Sequence, residues 1–243
     1  MTSARRTGAA DVEFAVVNSS KHLADRDVEF MVAACQAQAV EFCRAWMLDP
    51  PAAALYRSLD GLPADDIYVV GIVDDLDEPG ALGYHADVGD RPCIRVLAQG
   101  PQTSVTLSHE FLELLFDPTC DRWVPKGDGT EIAAEVCDPV EGDSYPVLAE
   151  VAGEGRTVEL SDYVLPPYFD RTQQGPTSRT GLPLEPFGIR AGGYQVVLGR
   201  DGKETDVFAR LAFAHEDARG KLAAAGKLMR ADSRVMRRLK GRP

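Results

Sequence analysis

Residues 105–117 read Val105-Thr106-Leu107-Ser108-His109-Glu110-Phe111-Leu112-Glu113-Leu114-Leu115-Phe116-Asp117, and the reading of this stretch governs the fold. Three ionisable groups, His109, Glu110 and Glu113, interrupt a run that is otherwise apolar on nearly every side. Such a pattern belongs to a helix packed inside a domain, not to one lying on its surface. On an α-helix His109 and Glu113 stand one turn apart on one face, while Glu110 lies about 100° round the axis. An uncompensated carboxylate in apolar surroundings costs several kcal/mol or changes its protonation state, so buried charges are normally paired or bound to a metal. One ion could touch both His109 and Glu113. The competing explanation is a purely structural buried network of the three groups with Arg or Lys partners.

Outward from this helix the chain reads as a mixture of strands and helices. Pro118 cannot continue the helix and biases Asp117 away from helical geometry, so the helix ends at about Phe116. Upstream, residues 12–17 (VEFAVV) read as a strand. A helix follows, with Asp25 or Asp27 as its cap and apolar residues from Phe30 to Trp46 at helical spacing, until Asp49-Pro50-Pro51 stops it. Residues 67–73 (IYVVGIV), 81–85 and 93–98 give three strands, so the order is strand, helix, three strands, helix. Downstream come a turn at 126–129, a short segment over 131–137 and an extended stretch at 158–165. Residues 171–186, rich in Thr, Gly, Pro and Ser, form a long surface loop, and 194–198 with 206–211 form a hairpin about Arg200-Asp201-Gly202.

Composition narrows the function classes. A 243-residue chain with 44% hydrophobic residues can build a sizeable globular core. No apolar run approaches the roughly 18–20 residues of a membrane span, and Arg5 and Arg6 are not followed by the apolar stretch of a signal peptide, so the expectation is a cytoplasmic protein with no membrane partner. The five cysteines are widely spaced without a C-x-x-C pair, which argues against a disulfide framework or a thiolate zinc site and leaves buried, reduced thiols. The net charge of −12 conceals an asymmetry: nine basic residues against Asp232 over 218–243 make the end strongly basic and the body more acidic than the total. An acidic body argues against nucleic acid as the main partner, and the basic end is either a solvated helix or a contact for an acidic partner or a nucleic-acid backbone.

The segments G-Y-H at 83–85, L-S-H-E-F-L-E at 107–113, D-P at 117–118, E-V-C-D-P at 135–139 and G-G-Y at 192–194 resemble an uncharacterised zincin-like metallopeptidase family of bacteria and their phages, over roughly residues 65–198. The resemblance implies an α+β fold with a zincin-like core: a mixed sheet, a backing helix and a buried active-site helix, here followed by a basic C-terminal helix. It divides the chain into a disordered start (1–10), one zincin-like domain (11–212, including the loop 171–186) and a basic helical extension (213–243). Zincins with H-E-x-x-H hold zinc through two histidines and a third, later ligand, with the first Glu as general base. Carried over, His109 is a ligand and Glu110 the catalytic base. This chain departs at Glu113, which stands where the second histidine would be and can still ligate through oxygen. Glu135 takes the place of the third ligand, and Asp138 that of the aspartate that supports a ligand histidine.

Two carboxylates and a neutral imidazole cancel the charge of a divalent ion, so its water should be less acidified than in sites richer in neutral ligands. The cofactor implied is one divalent metal, zinc first, with Mn²⁺ or Ca²⁺ as harder alternatives suited to oxygen donors. Four residues carry alternative readings. Asp117, at a helix end whose dipole disfavours its charge, is a turn former or a partner to a cation. His85 is a ligand, a substrate donor or a hydrogen-bonded structural histidine. Asp138 orients His109, caps a turn or ligates directly. Glu131 substitutes for Glu135 if their segment is helical. Cys137 reads as core, since no basic neighbour in sequence would lower its pKa. The function implied is metal-dependent hydrolysis of a protein or peptide substrate; the alternative is a non-catalytic structural or binding protein on the same framework, of phage or prophage origin.

Overall fold

The computed structural model describes residues 13–58, 60, 67–76, 81–87 and 92–209, and it is α+β. The expected disordered start at 1–10 and the basic helix at 213–243 lie outside the described residues. A five-stranded sheet, in the order β2-β1-β3-β5-β4, is built from β1 (Glu13–Asn18), β2 (Ala52–Tyr56), β3 (Ile67–Val73), β4 (Gly83–Asp87) and β5 (Pro92–Leu97). All pairings are parallel except that of β4, the antiparallel edge strand, with β5. Phe14 to Val17 are buried in succession, as in a strand covered on both faces rather than on one.

Helix α1 (Asp25–Trp46) connects β1 to β2 and ends in a left-handed residue, Met47, just before Asp49-Pro50-Pro51. No side chain caps its start: the N-cap is Ala24, Asp25 accepts from Asn18 Nδ2 at 2.8 Å, and Asp27 pairs with Arg156 at 2.5 Å. The aspartates expected as caps thus tie neighbouring elements down instead, while still favouring the helix dipole from the first turn.

Helix α2 (Gln102–Phe116) stops where Pro118 requires and starts a turn earlier than its apolar run. It packs on β4 and β5 on one side and on the hairpin of β8 (Ser144–Val151) and β9 (Glu154–Ser161) on another, with α1 alongside. Every residue from Thr103 to Phe116 is therefore buried. Phe111 meets Phe14 of β1 with ring centroids 3.9 Å apart, and Phe14 meets Tyr68 edge-on. Ser108 and Ser104 bind the helix to β9: Ser108 Oγ accepts the Ser161 N–H at 2.8 Å, and Ser104 Oγ donates to the Glu159 carbonyl at 2.7 Å.

A second, antiparallel sheet, β11-β10-β7-β6, gathers β6 (Trp123–Pro125), β7 (Glu131–Ala133), β10 (Tyr194–Leu198) and β11 (Glu204–Phe208). A 3-10 turn, Asp138–Val140, links β7 to the β8–β9 hairpin, and a short helix α3 (Pro166–Phe169) precedes the irregular stretch at 170–193. That stretch is held by Asp162, whose carboxylate accepts from the Thr180 N–H and hydroxyl at 3.1 and 2.7 Å. One hydrophobic cluster extends from Phe14 to Phe187. None of the described helices is long and apolar enough to cross a membrane.

Three strands are absent from the sequence expectation, among them the short β6. β2 adds a fourth strand between the helices, hidden in sequence by its three alanines and its flanking prolines. β8 is disguised by Pro146 and by alternating exposure, and pairs with β9 through a turn at Ala152-Gly153, both with positive φ. Because Phe111 is fully buried and bridges helix to sheet, Phe111→Ala is expected to lower stability by about 3–5 kcal/mol, read from urea unfolding of the full chain.

Candidate metal centre

The helical spacing of His109 and Glu113 places His109 Nε2 3.3 Å from Glu113 Oε2, with both side chains fully buried. The same nitrogen lies 3.3 Å from Asp138 Oδ1, which the 3-10 turn brings across from the far side. Charge-assisted hydrogen bonds close to roughly 2.7–2.9 Å. Two donors held tetrahedrally at roughly 2.0–2.1 Å from one ion are themselves about 3.3–3.4 Å apart, the edge these contacts have. Glu113 Oε1 accepts the backbone N–H of Cys137 at 3.2 Å, fixing the carboxylate against the segment that carries Asp138.

Among the described residues two sets of three donors have ligand atoms mutually within 4.8 Å: His109, Glu113 and Cys137, and His85, Glu110 and Glu113. All five side chains are buried, so these His, Glu and Cys groups could hold a metal ion. The fit is supported by Glu110 Oε1, a buried oxygen with no hydrogen-bond partner, for which a cation is a natural counterpart. Asp138 reaches His109 but belongs to neither set.

The turn that carries Cys137 and Asp138 is set by close backbone packing. Arg190 N–H donates to the Pro139 carbonyl at 2.9 Å, and a Cβ on Gly193 would come within 2.5 Å of that oxygen and 2.7 Å of the Asp138 carbonyl. Arg190 also pairs with Asp143, just past the turn.

Burial and charge act in opposition here. Burial pushes the His109 imidazole down, but the Glu113 charge and the contacts with Asp138 and Glu113 outweigh it and hold it well above its ordinary value. Burial would raise Glu113, yet the His109 charge and contact keep it lowered. The pair is thus an imidazolium beside a carboxylate. Asp138 is pushed up to about 7 by burial and by the Glu113 charge. Burial holds the Cys137 thiol well above its ordinary range, so ligation by Cys137 has to displace a proton.

His85, on the edge strand β4, places Nδ1 3.2 Å from Glu110 Oε2 and Nε2 against Cys120 Sγ in the turn after α2. Burial disfavours its charge, but Glu110, with Glu113 and Asp117 further off, raises it overall. The strand lies directly on the helix at this point: a Cβ on Gly83 would meet Thr106 Cγ2 at 2.6 Å and Glu110 Oε1 at 3.1 Å.

Other anticipated residues fall elsewhere. Glu135 is buried but in neither donor set. Glu131 belongs to strand β7, so the helical condition under which it would replace Glu135 does not hold; it borders a surface cleft with Pro125, Thr130 and Leu198. Asp117 forms a turn, its Oδ2 accepting the Arg122 N–H at 2.9 Å and its Oδ1 the Thr119 hydroxyl at 3.4 Å.

Sequence reasoning missed three groups. None of the five cysteines is in a disulfide, and four are buried as expected, yet Cys137 is also a donor and Cys120 a partner of His85. The first had a signal in its place beside Asp138; the second had none. Glu141, at the end of the 3-10 turn, has a buried Oε2 without a hydrogen-bond partner, and burial followed by the neighbouring Asp138, Glu113 and Glu110 charges takes it up to about 8.

Comparison of the chain with protein-family models, with curated proteins and with solved structures gives no match. The geometry therefore carries the functional argument alone. It makes Gly193→Ala a remote test of the centre: the added methyl must displace the turn at 138–139, and is expected to cost about 1–3 kcal/mol in thermal unfolding and to weaken metal binding in a titration of the full chain.

Proposed function

We propose that the protein is a metal-dependent peptidase with a zincin-like core, in which His109, Glu113 and Cys137 hold one divalent ion and Glu110 is the general base. The observation that carries this reading is the fully buried donor set His109, Glu113 and Cys137 on and beside a helix that lies under the antiparallel edge strand of a mixed sheet, with Glu110 one residue from His109. A thiol among the donors favours zinc over Mn²⁺ or Ca²⁺, which prefer oxygen alone. When bound, such an ion polarises a scissile carbonyl and lowers the pKa of water.

The chain's own residues supply the rest. Glu110 accepts a proton from the attacking water and delivers it to the departing amine. His85, 3.2 Å away, keeps one Glu110 oxygen in place and leaves Oε1 available for that proton. Asp138, 3.3 Å from the same His109 nitrogen that faces Glu113, sets a further carboxyl group at the edge of the centre. One carboxylate and one thiolate cancel the charge of the ion, so turnover is slow compared with sites built from neutral ligands.

A second reading, a non-catalytic binding or structural protein on the same framework, is favoured by one observation: His85, His109, Glu110 and Glu113 are all 0% exposed, so the groups proposed for catalysis do not face solvent. In that reading the basic segment at 218–243 binds an acidic partner or a nucleic-acid backbone, and such binding weakens steeply with added salt.

Elemental analysis and peptide hydrolysis separate the two. The purified full chain is expected to carry zinc, and His109→Ala and Glu113→Ala to lose it. Glu110→Gln is expected to retain the metal and to lower hydrolysis of a fluorogenic peptide mixture by about 10²–10⁴-fold. Metal retained in full by His109→Ala and Glu113→Ala would overturn the ligand assignment; undiminished hydrolysis by Glu110→Gln would overturn the base. Chelation is expected to lower the melting temperature, because a ligand at 100 times its Kd stabilises the native state by about 2.7 kcal/mol.

A further inference from the structure

We propose that the centre accepts a second divalent cation, held by His85, Glu110 and Glu113, with Glu113 shared between the two ions. The inference rests on the reading that His109, Glu113 and Cys137 hold the first ion. The second set is formed by different elements, His85 coming from edge strand β4 and Glu110 and Glu113 from α2, and its donor atoms also lie mutually within 4.8 Å. Glu113 is common to both sets. A carboxylate has two oxygens and about four lone-pair sites, so it can serve two ions at once, whereas each imidazole nitrogen has a single lone pair.

Independent support comes from Glu110. Its side chain is 0% exposed, and its Oε1 has no hydrogen-bond partner. Among the described residues no Lys or Arg forms an ion pair with Glu110 or Glu113; the groups that face them are the imidazoles of His85 and His109, at 3.2 and 3.3 Å. Two carboxylates buried side by side need more positive charge than one ion shared with a thiolate provides.

His85 is oriented as a ligand is. One nitrogen meets Cys120 Sγ, and the other is turned to Glu110 at 3.2 Å. An outer contact on the far nitrogen is what fixes the ring of a metal-binding histidine. The lack of a side chain at Gly83, where a Cβ would meet Thr106 Cγ2 at 2.6 Å, lets β4 approach closely enough to bring His85 to the helix.

The second ion competes with catalysis for the same residue. With one ion bound, Glu110 is free to take a proton; with two, its carboxylate is a ligand, and hydrolysis stops. Divalent metal in excess is thus an inhibitor acting through His85 and Glu110.

Metal-depleted full chain titrated with Zn²⁺, followed by calorimetry and elemental analysis after dialysis, tests this. Two equivalents are expected in the wild type. His85→Ala and His85→Gln are expected to bind one, the second affinity falling by more than about 100-fold, since even outer partners of a ligand are worth roughly 10–100-fold. The Gln variant keeps a hydrogen-bonding group toward Glu110, so its agreement with Ala separates lost ligation from lost packing. A single equivalent in the wild type at saturating Zn²⁺ overturns the second site and leaves the first standing; two equivalents persisting in both variants overturn the assignment to His85; no bound metal overturns both readings.

Discussion

The enclosure of α2 is the constraint on which the rest of the structure depends. A helix covered by the sheet, by α1 and by the β8–β9 hairpin has no solvent for its side chains, yet it carries His109, Glu110 and Glu113 at 0% exposure. Leaving even one of these carboxylates ionised and alone would cost a substantial part of a typical domain's net stability of about 5–15 kcal/mol. Compensating groups arrive from particular elements: β4 brings His85, the segment before the 3-10 turn brings the Cys137 N–H, and the helix itself sets His109 against Glu113. Apolar ring contacts supply stability around this polar seam, Phe14 tilted against Phe111 and Phe42 edge-on to Tyr163.

Position within the seam follows from rigid supports rather than from the donors themselves. The turn at 137–141 is clamped by Gly193 from above and by Arg190, which bonds the Pro139 carbonyl and pairs with Asp143. Behind it, Gln195 donates to the Phe187 carbonyl and contacts the Tyr168 hydroxyl, joining β10 to α3 and the loop between them. A group that must sit within a few tenths of an ångström of an ion is best held this way, on backbone whose own hydrogen bonds are satisfied.

How much was legible in the sequence follows from the range of the forces involved. The β3 strand, the end of α2 at Phe116 and the β10–β11 hairpin are fixed by local pattern and by proline, and residues 67–73, 105–117 and 194–211 announced them. β2 and β8 owe their form to pairing partners elsewhere in the chain, and three alanines or an interior Pro146 mask such strands in a local reading. The site divides in the same way. His109, Glu110 and Glu113 are related by helical spacing and could be grouped in advance. Cys120 and Glu141 are brought in by turns, and Glu131, a substitute for Glu135 only on a helical segment, lies on β7 instead. Cys137 was judged by its sequence neighbours, whereas the groups that act on it, His109 and Glu113, arrive from another element.

The residue at 113 unites these points. A histidine there would present one nitrogen to an ion and turn the other away, and its neutral ring could not balance the imidazolium that His109 becomes in the metal-free chain. Glutamate does three things that histidine could not do together. One oxygen accepts the Cys137 N–H and so positions the turn; the other faces His109; and its charge offsets that of the imidazole or of an ion in its place. The same carboxylate is the single group common to both donor sets, so the substitution that weakens the likeness to a two-histidine site is also what allows a shared one. A change at 113 must consequently disturb both donor sets together, whereas changes at His85 or Cys137 act on one set alone.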